Sequence, residues 1–500
     1  MPVTAKTIEK LLAQIAELTA TVTDLTEKLN TALEQARIQH EKDAARIEAL
    51  TRKIEELTAK KTRKDSHNSS MPPSSDGYGK PSPKSLREKT GKKAGGQPGH
   101  KGNSMEITRE PDEVKEYLPE KCWNCPMASK CKSNYTCACR RYEYDVKVTT
   151  TLTEHRVLVC ECPLEKGRKT AGEFPEEITS SKQYGTELKA TVLSLFTVGY
   201  MSVSRIKEFL TGFQIPISTG TIQNILSGCV GKVSDAANLI RERVSNLNII
   251  NCDETGMRVN GKLHWIHCLC NDKWTYMVIH EKRGSKAMED IGILPELDRC
   301  TIIHDFLKSY LNYSNVFHGF CNAHLQRELV YAFESTRQGW AKELKDLLTV
   351  MNVSRDRLIA TGQTQFPQEK LKDFLTRYDN LIAEGIEKNP IPKRFPGDRG
   401  RPGKGKTRCL LERMRDYKED ILRFVTNWSV PFTNNEAERT IRFTKVKQKV
   451  SGCFRTECGA DGFIKIMSYL STARKHGVNA HCAFIEALNG RAMRLVESWG

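Results

Sequence analysis

Apolar residues recur at heptad spacing from residue 5 to residue 60. Ile8, Ile15, Val22 and Leu29 occupy one seam position, and Leu11, Leu18 and Leu25 the other. Mostly β-branched residues at the first position with leucine at the second favour a parallel two-stranded coiled coil. The phase jumps by four at Leu33 and resumes with Ile47, Leu50, Ile54 and Leu57, a stutter that unwinds a supercoil locally without ending it. His40 and Asp43 fall on the seam between the halves and weaken its middle. The competing reading is a single amphipathic helix folded back on the body. Residues 1–62 are therefore read as a coiled coil that pairs two copies of the chain.

The period changes twice more. From 180 to 245 it is helical, and two short helices around GFQIPISTG resemble a helix-turn-helix, whose second helix can enter a major groove. From 247 it becomes strand-like: NLNIINCDETGMRV, LHWIHCLCN and WTYMVIH are rich in Ile, Val, Trp and Tyr and are separated by Asn-Gly and Asn-Asp turn signals. A helix at GSKAMEDIGIL, the short buried strand CTIIHD, a strand at VFHGF and a helix at NAHLQRELVYAF follow. Three meandering strands and then alternating strand and helix suit a ribonuclease-H-like α/β core. That core spans 246–334 and 431–476, with a helical insertion at 335–430 and a terminal helix at 477–500. Residues 434–475 read as a helix and a basic connection.

Composition adds partners. With 500 residues the chain holds about three or four domains. No apolar run approaches the roughly 18 residues of a membrane span, and the start lacks a signal-peptide pattern, so a cytoplasmic protein is expected. The net charge of +17 favours a polyanion partner, because Lys and Arg displace counterions from phosphate. Residues 63–107 are too rich in Ser, Pro and Gly to pack a core. They carry Lys89, Lys92 and Lys93, a basic arm able to follow a DNA backbone or a solvated linker.

Seven of the 17 cysteines lie between Cys122 and Cys162. Such clustering reads as a metal site rather than a disulfide scaffold. Cys122 and Cys125 form a C-x2-C pair, and Cys160 and Cys162 a C-x-C pair. Brought together by a hairpin within 108–170, they would form a four-sulfur structural Zn²⁺ ribbon. Cys131, Cys137 and Cys139 compete as ligands.

Candidate chemistry lies in the core. Asp253 and Asp305 each close an apolar strand, the usual ligand edge of such sheets. Glu438 lies in TNNEAERTIRFTKVKQK, in a helix entered from Asn434 or Asn435. Three converging carboxylates suit Mg²⁺, or Mn²⁺, and two such ions can activate an attacking oxygen and stabilise a leaving one. Each acid alone is more often a solvated turn residue. Glu254 should point to the opposite face of its strand, and Glu436 rivals Glu438. Arg439, Arg442, Lys445, Lys447 and Lys449 follow directly and can face a phosphate backbone. Cys321 and His324 form a C-x2-H pair, preferred here as a buried pair that packs or orients the nearby acid.

The segments NSSMPPSSDG, GGQPGHKG, NCDETGMRV, HDFLKSY, FCNAHLQRE and PFTNNEAERTIR, in this order, resemble the large transposase of the insertion sequence 66 family, of the three-carboxylate (DDE) type. The resemblance covers nearly the whole chain. It implies that Asp253, Asp305 and Glu438 are the catalytic triad, and that the region of the cysteines is a zinc-finger-like module. It also implies binding of terminal inverted repeats, 3′-end cleavage, strand transfer, and accessory proteins encoded by the same element. The alternative is a catalytically inactive DNA-binding relative.

Overall fold

The computed structural model describes residues 5–61, 106–122, 124–127, 130, 137, 139–146, 148–161, 169–391 and 403–500. In chain order its elements begin with α1 (Ala5–Lys61), the strands β1 (Val159–Glu161) and β2 (Lys169–Ala171), and the helices α2 (Thr186–Thr197), α3 (Val203–Gly212) and α4 (Thr219–Ser245). The strands β3 (Ile249–Val259), β4 (Lys262–Cys270) and β5 (Thr275–His280) follow, then α5 (Ser285–Ile291), β6 (Thr301–His304) and β7 (Phe317–Phe320). Helices make up the rest: α6 (Asn322–Thr336), α7 (Gly339–Ala360), α8 (Gln368–Lys388), α9 (Lys406–Asp416), α10 (Lys418–Ile421), α11 (Arg423–Thr426), α12 (Asn435–Ile441), α13 (Phe443–Ser451), α14 (Glu457–Lys475), α15 (Ala480–Leu488) and α16 (Ala492–Glu497). The protein is mixed α/β and falls into two units. One holds Met1–Pro83, Gly185–Val203 and Gly220–Gly500; the other holds Lys84–Tyr184 and Ser204–Thr219.

In the smaller unit β1 and β2 pair antiparallel, Cys160 opposite Thr170. The larger unit is organised by a five-stranded sheet of order β5-β4-β3-β6-β7. β3, β4 and β5 form an antiparallel meander, while β6 runs parallel to β3 and β7 parallel to β6. Asn260 and Gly261 turn β3 into β4, both with positive φ (47° and 76°). Such a two-residue turn matches the twist of the paired strands.

β5 is an edge strand, and α14 closes it. Ser468 and Thr472, one helical turn apart, accept the backbone N–H groups of Met277 (2.9 Å) and Thr275 (3.1 Å), two residues apart on the strand. At these two residues the hydroxyls stand in for a missing sixth strand.

The insertion between the two parts of the core carries its own apolar centre of Trp340, Leu344, Leu348, Phe374, Tyr378 and Leu411. The cluster runs on to Ile303 and Phe320 of the sheet. A Cβ on Gly385 would stand 2.6 Å from Leu411 and 3.0 Å from Trp340, so α8 packs there with no side chain.

Two expectations change. The basic segment after Glu438 is not a connection but α13. The stretch 477–500 is two helices, because Gly490 takes a φ of 74° and stops α15. α1 is one uninterrupted helix through the stutter, and its described seam residues stand open: Ile15 is 58%, Leu18 64% and Ile47 66% exposed.

Candidate active site

Asp253 was expected to end its strand, but β3 continues for six residues to Val259. What ends there is the parallel pairing. β3 pairs with β6 through Ile249, Ile250 and Asn251, and beyond them only β4 continues beside it. Asp305 follows directly on the last residue of β6. Both carboxylates therefore stand where the parallel strands finish, as their chemistry requires.

The turn that carries Asp305 is held under strain. Phe306 has a φ of 73°, rare for a bulky residue. Its ring packs edge-on against Phe320 (4.7 Å) and Tyr417 (5.1 Å), with the Arg413 guanidinium 4.8 Å above it. Packing from the helical insertion thus fixes a conformation that the backbone alone disfavours. The Asp305 Oδ1 accepts the N–H of Leu307 at 3.2 Å.

Glu254 does not stay apart as strand alternation suggested. Oxygens of Asp253, Glu254 and Asp305 lie within 4.8 Å of one another. Alternation governs the direction of Cβ. The longer Glu side chain reaches past it where β6 no longer pairs with β3. The Glu254 side chain is fully buried. It accepts Arg283 Nε and Nη2 at 2.9 and 2.7 Å, and the Tyr310 hydroxyl at 3.1 Å.

Crowding is visible in the acidities. Burial, then Glu254 and Asp305, push the Asp253 carboxyl well above the usual carboxylate range, against the Glu254 N–H that it accepts at 2.9 Å. Burial and Asp305 also raise Glu254, opposed by Arg283 and Tyr310. One guanidinium serves a cluster of three acids. Hard oxygen donors with uncompensated charge fit a divalent cation such as Mg²⁺.

Glu438 reaches the site from α12. Asn434, fully buried, donates from Nδ2 to the Cys252 carbonyl (2.7 Å) and accepts Asn251 Nδ2 (2.9 Å). The Asn434 carbonyl accepts the Glu438 N–H at 3.2 Å, so the first turn of α12 is tied to the strand segment beside Asp253. Glu438 is close enough to Asp253 to help raise it. It stands outside the three-acid cluster, however, and groups with Cys321 and His324. Its Oε1 is 3.8 Å from Cys321 Sγ and 3.6 Å from His324 Nδ1. Burial pushes the Cys321 thiol up to about 12 and lowers His324. Both are neutral at neutral pH, so the imidazole contact is not an ion pair. Cys321 Sγ also accepts the Asn434 N–H at 3.2 Å. Glu436, the rival, is engaged elsewhere, in an ion pair with Lys475 at 2.8 Å.

Arg439, Arg442, Lys445 and Lys449 are exposed, and Lys445 Nζ donates to the Gly256 carbonyl at 3.2 Å. Lys447 departs from that face. It is 3% exposed, its Nζ lies 3.6 Å from the centre of the Phe196 ring, and burial lowers it to about 8. Two residues along a helix turn a side chain by about 200°, away from Lys445. Lys447 belongs to the core and is not a DNA contact.

Residues 181–462, more than half of the chain, match the transposase IS66 family. The chain belongs to that family. Residues 3–106 match a family of unknown function, DUF6444. No curated protein matches this IS66-family chain.

Of the zinc ligands expected in this family member, Cys162 lies outside the described residues, as do Lys89, Lys92 and Lys93 of the basic arm. Among the described residues no three of Cys122, Cys125, Cys137, Cys139 and Cys160 come within reach of one ion. Among the described residues no helix is long and apolar enough to cross a membrane. Sequence reasoning missed Asn251, Arg283 and Tyr310, and took Asn434 only as the entry of its helix, which it is. The Asn434–Asn435 pair ahead of the acidic helix was a signal. Arg283 and Tyr310 left none, since they meet Glu254 across 29 and 56 residues.

Proposed function

We propose that this chain is a DNA transposase that binds the terminal inverted repeats of its element, cuts their 3′ ends and joins them to target DNA. Asp253, Asp305 and Glu438 are its triad. The observation that carries the reading is the convergence of Asp253 and Asp305 where the parallel strands end, with Glu438, on a helix that Asn434 ties to the neighbouring strand, near enough to act on Asp253. The strand order, an antiparallel meander whose first strand pairs in parallel with β6, which in turn pairs in parallel with β7, supports a ribonuclease-H-like core.

Asp253, Asp305 and Glu438 would hold Mg²⁺ or Mn²⁺, which supplies charge neutralisation at the scissile phosphate and activation of the attacking oxygen. In the first step a water oxygen forms a bond to phosphorus while the bond to the 3′ oxygen breaks. In the second, the freed 3′-hydroxyl attacks a target phosphodiester, whose own 3′ oxygen leaves. The residues of the chain set the geometry. Asn434 fixes the height of α12, the neutral Cys321 thiol donates to the Glu438 carboxylate beside His324, and Arg283 with Tyr310 restrains Glu254. Arg439, Arg442, Lys445 and Lys449 would face the DNA backbone, and the helical segment 180–245 would add DNA contacts. A Cys122, Cys125, Cys160 and Cys162 zinc ribbon and a homodimer through α1 complete the proposal; the heptad order and the open seam support the dimer.

The test is cleavage and joining of labelled DNA carrying the element's ends in Mg²⁺, with any accessory proteins of the element present. Asp253→Asn and Asp305→Asn should still bind the DNA while cleavage falls by more than about 100-fold, since even residues that only orient a metal ligand cost about 10- to 100-fold. A wild type that binds and never cuts would favour the inactive relative.

A further inference from the structure

A second cluster of metal-ligating side chains lies well away from the acids. Asp253 pairs across the hairpin with Cys268, and His264 stands four residues farther along β4, roughly 13 Å away at about 3.3 Å per residue. His264 shares its neighbourhood with Glu281 and Glu457, one ligand atom of each lying within 4.8 Å of the others.

The three come from three elements. His264 belongs to β4. Glu281 follows β5 directly, one step beyond the paired Trp265 and His280, so it falls opposite His264. Glu457 opens α14. The chain before α14 is tied to the hairpin tip, Phe454 donating to the Arg258 carbonyl (3.2 Å) and accepting the Asn260 N–H (2.8 Å). This pairing brings Glu457 to the imidazole.

The histidine is poised as a ligand. Its side chain is 7% exposed, yet Nε2 is buried without a hydrogen-bond partner. Nε2 faces Glu457 Oε1 at 3.8 Å, beyond hydrogen-bond reach. Nδ1 lies 3.5 Å from the Lys262 carbonyl. A proton on Nδ1 turned to a backbone carbonyl leaves the Nε2 lone pair free, the arrangement usual for a histidine that binds metal. Among the described residues neither Glu281 nor Glu457 pairs with a lysine or arginine.

We propose that His264, Glu281 and Glu457 form a second metal site that takes a first-row divalent ion, with Zn²⁺ as the best match. One imidazole nitrogen and two carboxylate oxygens are borderline donors suited to such ions. Three protein ligands leave the fourth tetrahedral position to water. Donor atoms around tetrahedral zinc stand about 3.3 Å apart, given bonds of about 2 Å. The exposed glutamates close that gap by rotation while His264 stays fixed. The ion would clamp the β3–β4 hairpin, the exit of β5 and the start of α14. This assignment is independent of the transposase chemistry.

The full-length protein is stripped with chelator, dialysed against buffered micromolar free zinc, and its zinc per chain counted by elemental mass spectrometry. The wild type is compared with His264→Gln, Glu281→Gln and Glu457→Gln. Other zinc sites contribute equally to all four. Each variant is expected to hold one zinc fewer per chain, and the rise in melting temperature on zinc addition should shrink. Glu457 is 74% exposed, so its variant keeps the test valid if His264→Gln misfolds. Equal zinc counts in the wild type and the Glu457→Gln and Glu281→Gln variants would overturn the proposal.

Discussion

His267 shows what burial does to a single residue. Its ring is buried beside the Lys282 carbonyl (3.2 Å), and desolvation lowers it to about 4. The folded value lies below the unfolded one, so its stabilisation is full above about pH 6.5 and is lost as the pH falls toward 4. Between pH 7.5 and pH 5 the wild type should lose about 2 kcal/mol more than His267→Gln in denaturant unfolding; equal losses would show that His267 is not held neutral. Asn434 makes a second residue-scale case. Asn434→Ala leaves Asn251 and the Cys252 carbonyl buried without partners, a cost of about 1–3 kcal/mol. It should also lower cleavage, because α12 loses its anchor. Of the proposed triad, only Asp305 stands at a strand end as expected; Asp253 lies within β3 and Glu438 in α12, and the family resemblance, not the pattern, singled them out. Their company could not be read from the sequence, because Glu254, Arg283 and Tyr310 meet only once the sheet is built.

Among elements, α14 and β5 show how a helix replaces a strand. Thr472→Val keeps the volume and removes the hydroxyl that serves Thr275. It should destabilise the protein by about 1–3 kcal/mol, the cost of an unsatisfied buried N–H. No change would mean that water takes the place of the hydroxyl. The meander was legible because its strands are rich in Ile, Val, Trp and Tyr and Asn-Gly and Asn-Asp turns separate them. The true end of β3 was not, since a sequence does not show where the neighbouring strand stops. α13 was misread because its lysines mask a buried stripe of Phe443, Thr444 and Lys447. The break in the terminal helix was signalled by Asn489–Gly490 and overlooked.

Across the whole molecule, charge and seam organise the proposal. The heptads of α1 could be read directly, because a seam repeats independently of any tertiary partner. Its open apolar side chains give the helix no reason to stay single in water. The isolated 1–62 peptide should be helical and melt at a temperature that rises with concentration. Melting independent of concentration would remove the dimer. The helical insertion is joined to the chemistry through Arg413 and Tyr417, which hold Phe306 beside Asp305. The helical insertion thus forms part of the wall of the candidate site.

The central claim is that Glu438, and not Glu436, completes the triad. The deciding measurement compares Glu438→Gln with Glu436→Gln in the cleavage and joining of element ends. Glu438 stands by Cys321 and His324 within the field of Asp253, and Glu436 pairs with Lys475. The account expects Glu438→Gln to bind DNA and lose cleavage by more than about 100-fold, with Glu436→Gln close to wild type. An active Glu438→Gln beside an inactive Glu436→Gln would contradict it.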